Sequence, residues 1–387
     1  MMGYDDLYPH QKTACADVDR LFNEGHRAVI SVLSTGAGKT LVKAEYARRC
    51  RDSGFTTHML AHRDVLLSQI SDALCMMGVY HKFICSAKTQ RDITNANLAK
   101  HGNAYYDDSS KISVVSAVTL RARLRSKQEH IADQYALICS QVQYWMVDEV
   151  QHLTVGSSWG ICVDAYGDSL GLGVTATPIR GDRKGLGKHA DGYFTAMSDT
   201  TSMIELIKAG KLSPYKIFQP QGNIDLSGVT VTAGGDYNNK QLAEKVNKRT
   251  ITGSAVEHYK RILDGKRVIT FGVDIAHCLA IAGQFNEAGV PSKCVSSKTP
   301  LDERNQALVD LKNGLLLNLV NCDLFGEGFN SPAVEGVIML RPTQSYSLYK
   351  QQFGRMLRVS EGKTHGVLLD HVSNTIHMMT KFGLEQP

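Results

Sequence analysis

Short apolar runs alternate with longer amphipathic ones along the chain. Residues 28–33, Ala-Val-Ile-Ser-Val-Leu, are apolar almost throughout, as in a strand covered on both faces. Residues 40–51 have the period of the helix that would follow. The alternation recurs with a strand at 57–61, a helix at 65–77, and strands at 112–115, 144–147 and 170–174. A second series begins near residue 250, with strands at 267–271, 315–321, 337–340 and 367–370 and a helix at 275–288. Strands alternating with helices predict an α/β fold with parallel sheets. Residues 213–237 contain Pro214, Pro220, Gly222, Gly228, Gly234 and Gly235, which predicts a connector. The expected layout is therefore an N-terminal domain over 1–212, a connector over 213–249 and a C-terminal domain over 250–387.

Composition narrows this only slightly. The chain has 387 residues, 43% hydrophobic and 21% charged, which excludes a small disulfide-stapled module and wholesale disorder. A net charge of +5 is compatible with a polyanionic partner without requiring one. Nine scattered cysteines form no CxxC pair, which points away from zinc and towards reduced thiols, as in the cytoplasm. Charges at Asp5, Asp6, Asp17, Asp19 and Arg20 break any signal peptide, and no apolar run is long enough to span a membrane.

The first candidate chemistry is Ser34-Thr35-Gly36-Ala37-Gly38-Lys39-Thr40, between a predicted strand and a predicted helix. Gly36, Ala37 and Gly38 would turn backbone N–H groups towards phosphate oxygens at a helix N-terminus. Lys39 would reach the β and γ phosphates, and the Thr40 hydroxyl would ligate Mg²⁺. Leu33 stands where the full consensus has a glycine. Asp148-Glu149 ends another predicted strand. There Asp148 could hold Mg²⁺ and Glu149 could polarise an attacking water. Gln351-Gln352-Phe353-Gly354-Arg355-Met356-Leu357-Arg358 places two arginines three apart, expected on one face of a helix.

Together these motifs resemble a superfamily two helicase over nearly the whole chain, in the branch of type III restriction motors and repair helicases. The resemblance implies two tandem RecA-like P-loop domains and a nucleic-acid-dependent ATPase using ATP and Mg²⁺. It implies that Gln11 reads adenine, and that Gln151, within Asp148-Glu149-Val150-Gln151-His152, stands where histidine is commoner. Thr175 and Thr177 of Val174-Thr175-Ala176-Thr177-Pro178 would couple the ATP and nucleic-acid sites, with Gln351. Arg355 and Arg358 would be arginine fingers, and Asn330, where aspartate is usual, would face the ribose or the catalytic water. Arg63, Thr119, Arg121 and Asn321 fall in motifs that contact the nucleic-acid backbone.

The expected function is an ATP-dependent DNA helicase or translocase acting on single-stranded or branched DNA, with no membrane partner. Phage helicases are among the proteins it resembles. Three alternatives stay open: a motor subunit for a separate nuclease or repair protein, an RNA helicase, and a nucleotide-gated binding module whose ATPase has decayed through Gln151 and Asn330.

Overall fold

The computed structural model describes residues 2–180, 184–198, 201–220, 225–232, 235–246, 249–322 and 334–383. The chain divides into two compact units, Met1–Ser202 and Met203–Pro387.

The first unit is built on seven parallel strands: β1 (Ala28–Val32), β2 (Thr57–Ala61), β3 (Lys82–Ile84), β4 (Ile112–Ser116), β5 (Tyr144–Asp148), β6 (Leu170–Thr175) and β7 (Ala196–Ser198). Their order is β3-β4-β2-β5-β6-β1-β7. Helices α1 (Pro9–Asn23), α2 (Lys39–Asp52) and α3 (Asp64–Met76) cover the sheet, and β1, β2, β4 and β5 are buried or nearly so along their length. That explains their near-continuous apolar reading. Gly171 of β6 makes room for Trp145 of β5, since a Cβ there would lie 2.1 Å from the indole ring.

The second unit has six parallel strands: β8 (Tyr215–Phe218), β9 (Val268–Phe271), β10 (Ser292–Val295), β11 (Asn318–Asn321), β12 (Gly336–Met339) and β13 (Gly366–Asp370). Their order is β10-β11-β9-β12-β13-β8. Asp274, after β9, caps the helix Ile275–Glu287 by accepting from the His277 N–H at 2.7 Å.

The expected α/β fold with two parallel-sheet domains is present. Its internal boundary differs. The division falls at 202/203 rather than 212, and the described parts of 213–249 are integral to the second unit. Tyr215–Phe218 is the edge strand beside β13. The helix Asn239–Val246 buries Leu242 and Val246 against Val273, with Leu226, Val229 and Tyr237 packed around them. Prolines and glycines around a four-residue edge strand masked it. Pro214 lies just outside the ladder, where a missing N–H costs nothing.

Candidate nucleotide site

The phosphate loop leaves the C-terminal end of β1 and enters α2. Gly36 and Gly38 adopt φ of +87° and +83°, the left-handed region that an L side chain enters only with strain. A Cβ at Gly38 would also meet Gln11 Nε2 at 2.2 Å. Gln11 and His10, on the first turn of α1, hold the loop from the side: Gln11 Nε2 donates to the Ala37 carbonyl at 3.1 Å, and His10 Nε2 lies 2.9 Å from the same oxygen. Gln11 Oε1 accepts from the Tyr8 N–H at 3.0 Å. The side chain expected to read adenine is thus buried and engaged on the loop itself. Leu33 is buried, and its N–H bonds to the Thr175 carbonyl at 2.9 Å, so it prolongs β1 into the sheet instead of joining the loop.

Asp148 ends β5. One strand, β6, lies between it and β1, so the acidic pair is carried two strands from the phosphate loop and not on an adjacent strand. Asp148 is buried. Its Oδ2 accepts from Lys43 Nζ at 2.7 Å and its Oδ1 from the Glu149 N–H at 3.1 Å. Burial by itself would raise the Asp148 pKa, but the ammonium groups of Lys43 and Lys39 outweigh it and hold the carboxyl below its ordinary value.

Glu149 has φ +54°, unusual for a residue with a side chain. From it a chain of polar contacts runs across the C-terminal ends of the neighbouring strands β5 and β6. Gln151 Nε2 donates to Glu149 Oε2 at 2.9 Å, the Thr175 hydroxyl donates to Gln151 Oε1 at 3.2 Å, and the Thr177 N–H donates to Thr175 Oγ1 at 3.1 Å. Gln151 therefore bridges the acidic pair and the Thr-Ala-Thr segment directly, using both ends of its amide.

In the second unit, the helix Tyr346–Phe353 stops before the arginines. Arg355 lies in the 3₁₀ turn Gly354–Leu357, and Arg358 caps it with extended backbone. The expectation of one continuous helix face is corrected here: Gly354 ends the α-helix. Lys363 Nζ donates to the carbonyls of Met356 and, at 2.8 Å, Arg358, pinning the turn that carries both arginines. Gln351 is buried on the preceding helix, its Nε2 3.4 Å from the Ser347 hydroxyl.

The expected nucleic-acid residues divide. Arg63 is exposed at the start of α3, after β2, and Thr119 lies in the first turn of the helix Ala117–Leu124, after β4. The guanidinium of Arg121 donates to the Ser158 hydroxyl at 2.8 Å. Asn321 does not fit a contact role. Its side chain is fully buried and its Nδ2 donates to the Thr270 carbonyl at 3.2 Å, tying β11 to β9. Asn330 lies outside the described residues. Sequence reading missed His10, Lys43 and Lys363, whose roles depend on partners far along the chain or on main-chain carbonyls.

Among the described residues no group of three or more His, Cys, Asp or Glu could hold a metal. Mg²⁺ in nucleotide sites binds through one or two protein oxygens plus substrate phosphates and water. The ionised Asp148 carboxylate and the Thr40 hydroxyl are hard oxygen donors of that kind. No helix among the described residues is long and apolar enough to cross a membrane, and all nine cysteines are free thiols.

A phosphate loop, an acidic strand end and a Thr-Ala-Thr link on one parallel sheet, with an arginine-bearing turn on a second, define a tandem RecA-like fold of the P-loop class. Residues 5–180 match the family described as type III restriction enzyme, res subunit, and residues 254–360 match the helicase conserved C-terminal domain. These two matches are consistent with a superfamily two helicase of the restriction-motor branch, which the chain resembles. It is 27% identical to a 51.5 kDa protein of a Lactococcus phage over 88% of its own length and 64% of the phage protein's. It is 25% identical to IRC3 of Saccharomyces cerevisiae, a protein provisionally named an ATP-dependent helicase, over 95% of this chain and 51% of that one. The chain thus spans about half to two thirds of these relatives' lengths. The helicase MrfA bound to DNA and AMPPNP shares the fold at a TM-score of 0.62 and 15% identity, covering 97% of this chain and 50% of MrfA.

Proposed function

We propose that the protein is an ATP-dependent DNA helicase or translocase, hydrolysing ATP to move along and separate or remodel strands. The observation that carries this is the continuous contact chain Glu149–Gln151–Thr175–Thr177, which joins a water-activating carboxylate to a segment able to relay its state. Lys39 and the loop N–H groups bind the phosphates, Asp148 and Thr40 hold Mg²⁺, and Glu149 orients the attacking water. Arg355 and Arg358 neutralise charge on the transferring phosphoryl group. Mg²⁺, when bound, supplies charge neutralisation of the phosphates. Arg63 and Thr119 contact the nucleic-acid backbone, so binding is independent of sequence and sensitive to salt.

DNA is favoured over RNA by the restriction-type family match and by the DNA seen on MrfA. Because Gln151 makes the contacts that keep Glu149 and Thr175 linked, its presence in place of histidine argues against a decayed ATPase. The test is ATP turnover by the purified protein with and without single-stranded DNA or RNA. Turnover should rise at least about tenfold with DNA and disappear in Lys39→Ala and Glu149→Gln. Turnover insensitive to nucleic acid would overturn the reading. Unwinding of a forked duplex by the chain alone separates a helicase from a motor that needs a partner.

A further inference from the structure

Helix α2 presents an anomaly one turn after the phosphate-loop lysine. Residues 42–47 are all buried: Val42, Ala44, Tyr46 and Ala47 are apolar, Glu45 pairs with Arg48 and Arg49, and Lys43 has only 1% of its side chain exposed. An ammonium is costly to bury, and here it has one carboxylate partner within ion-pair distance, Asp148 at 2.7 Å. A buried pair of this kind adds little or no stability over two apolar residues. What it provides is the state of the carboxylate: ionised, oriented, and with Oδ2 already occupied by a positive charge.

We infer that Lys43 is the resident counter-cation of the acidic site, filling the electrostatic place of a divalent cation at Asp148 so that metal enters together with nucleotide and not before it. The inference rests on the nucleotide-site reading above. Lys39 and Lys43 lie one helical turn apart, and both ammonium groups already act on Asp148. A free divalent ion then meets little net attraction. The phosphates of ATP add the negative charge that restores it. A lysine here therefore sets the order of binding, which an apolar residue at the same position would leave open.

The test is Mn²⁺ binding to the nucleotide-free protein, read by the loss of free-ion electron paramagnetic resonance signal. The wild-type chain should bind Mn²⁺ weakly. Lys43→Met should bind it at least about tenfold more tightly, because one unit charge beside the site is gone. Lys43→Gln, which keeps a hydrogen-bond donor without the charge, should behave as Lys43→Met and serves if the methionine variant does not fold. Adding Asp148→Asn to either should return binding to the wild-type level. Equal Mn²⁺ affinity in wild type and both Lys43 variants overturns the inference. Nucleotide binding is measured separately on the wild type, so failure of the ATPase reading is distinguishable: that protein would take up no ATP with or without metal.

Discussion

Glu149 sits at φ +54° directly after a buried strand, and the strain of that conformation is of order 1–3 kcal/mol. The backbone turn frees its N–H to reach both the Val174 carbonyl and Asp148 Oδ1, at 3.0 and 3.1 Å. Thr175 sits at the other end of the chain of contacts, with no exposed surface, and its hydroxyl is the joint between Gln151 and Thr177. Thr175→Val keeps the shape and removes the joint. We expect DNA-stimulated kcat to fall about tenfold with the KM for ATP unchanged, since the lost contact is not to the nucleotide. Gln151→Ala should act similarly, and the double variant should be no worse than the worse single one, because both cut the same link. A steady-state double-mutant cycle measures this; additive losses would mean the two residues act separately. At this scale the sequence was most legible where chemistry is local. Lys39, Thr40, Asp148 and Glu149 stand beside the strands and turns that aim them. Lys43 was not legible, because its partner is 105 residues away and a lysine in a helix reads as surface.

The arginine-bearing turn is held by its surroundings, since a four-residue 3₁₀ segment has little stability of its own. Lys363 pins it from one side, and burial, with Arg267 and Arg358 nearby and only Glu335 opposing them, pushes the Lys363 pKa down to about 8. The folded pKa lies below the unfolded one, so between about pH 8 and 10.5 the unfolded chain binds the extra proton. Lys363 therefore favours folding progressively as pH rises through that window, and disfavours it below. Chemical denaturation at pH 7.5 and 9.5 should show a smaller pH-dependent gain in Lys363→Met than in wild type; identical slopes would rule out this contribution. On the other side, Asp236 lies 3.6 Å from Arg341 and accepts from the Gln344 N–H at 2.7 Å, tying the Asp236–Asn239 stretch to the loop before the helix Tyr346–Phe353. Asp236→Ala should cost about 2–3 kcal/mol of second-unit stability by loosening a buried arginine, measured by urea unfolding. This element was the least legible. Its glycines and prolines read as linker, and its contacts are to residues about 100 positions later. The central strands, long and apolar on both faces, were placed to within one to three residues.

Across the first unit, acid sensitivity follows from histidines buried without charge partners. His58 lies on β2 against Tyr166, its Nδ1 3.1 Å from the phenol oxygen, and burial and the nearby Lys82 push its pKa down to about 3. His81 is held between Ser71 and the Val79 carbonyl, and burial lowers its pKa to about 4, partly offset by that carbonyl. Both folded values lie below the ordinary value of 6.5, so below pH 6.5 the unfolded chain binds more protons than the folded one. The stability these residues protect is fully present above pH 6.5 and drains away as pH falls towards 4. At pH 5 the loss is about 2 kcal/mol per histidine. Glu45, buried between Arg48 and Arg49, has its pKa held down by those guanidinium groups against the opposing effect of burial, so its protonation adds to the loss at still lower pH. Unfolding monitored by circular dichroism from pH 7 to pH 4.5 should therefore show the first unit weakening below pH 6.5, before most carboxylates titrate. His58→Phe, which keeps the ring packing against Tyr166, should recover part of the loss at pH 5 while changing little at pH 7.5. An unchanged acid midpoint in that variant would place the sensitivity elsewhere. Because the phosphate loop and Asp148 ride on this same sheet, nucleotide affinity should fall along with stability below pH 6.5. ATP present in excess should shift the unfolding transition to lower pH by mass action on the folded state.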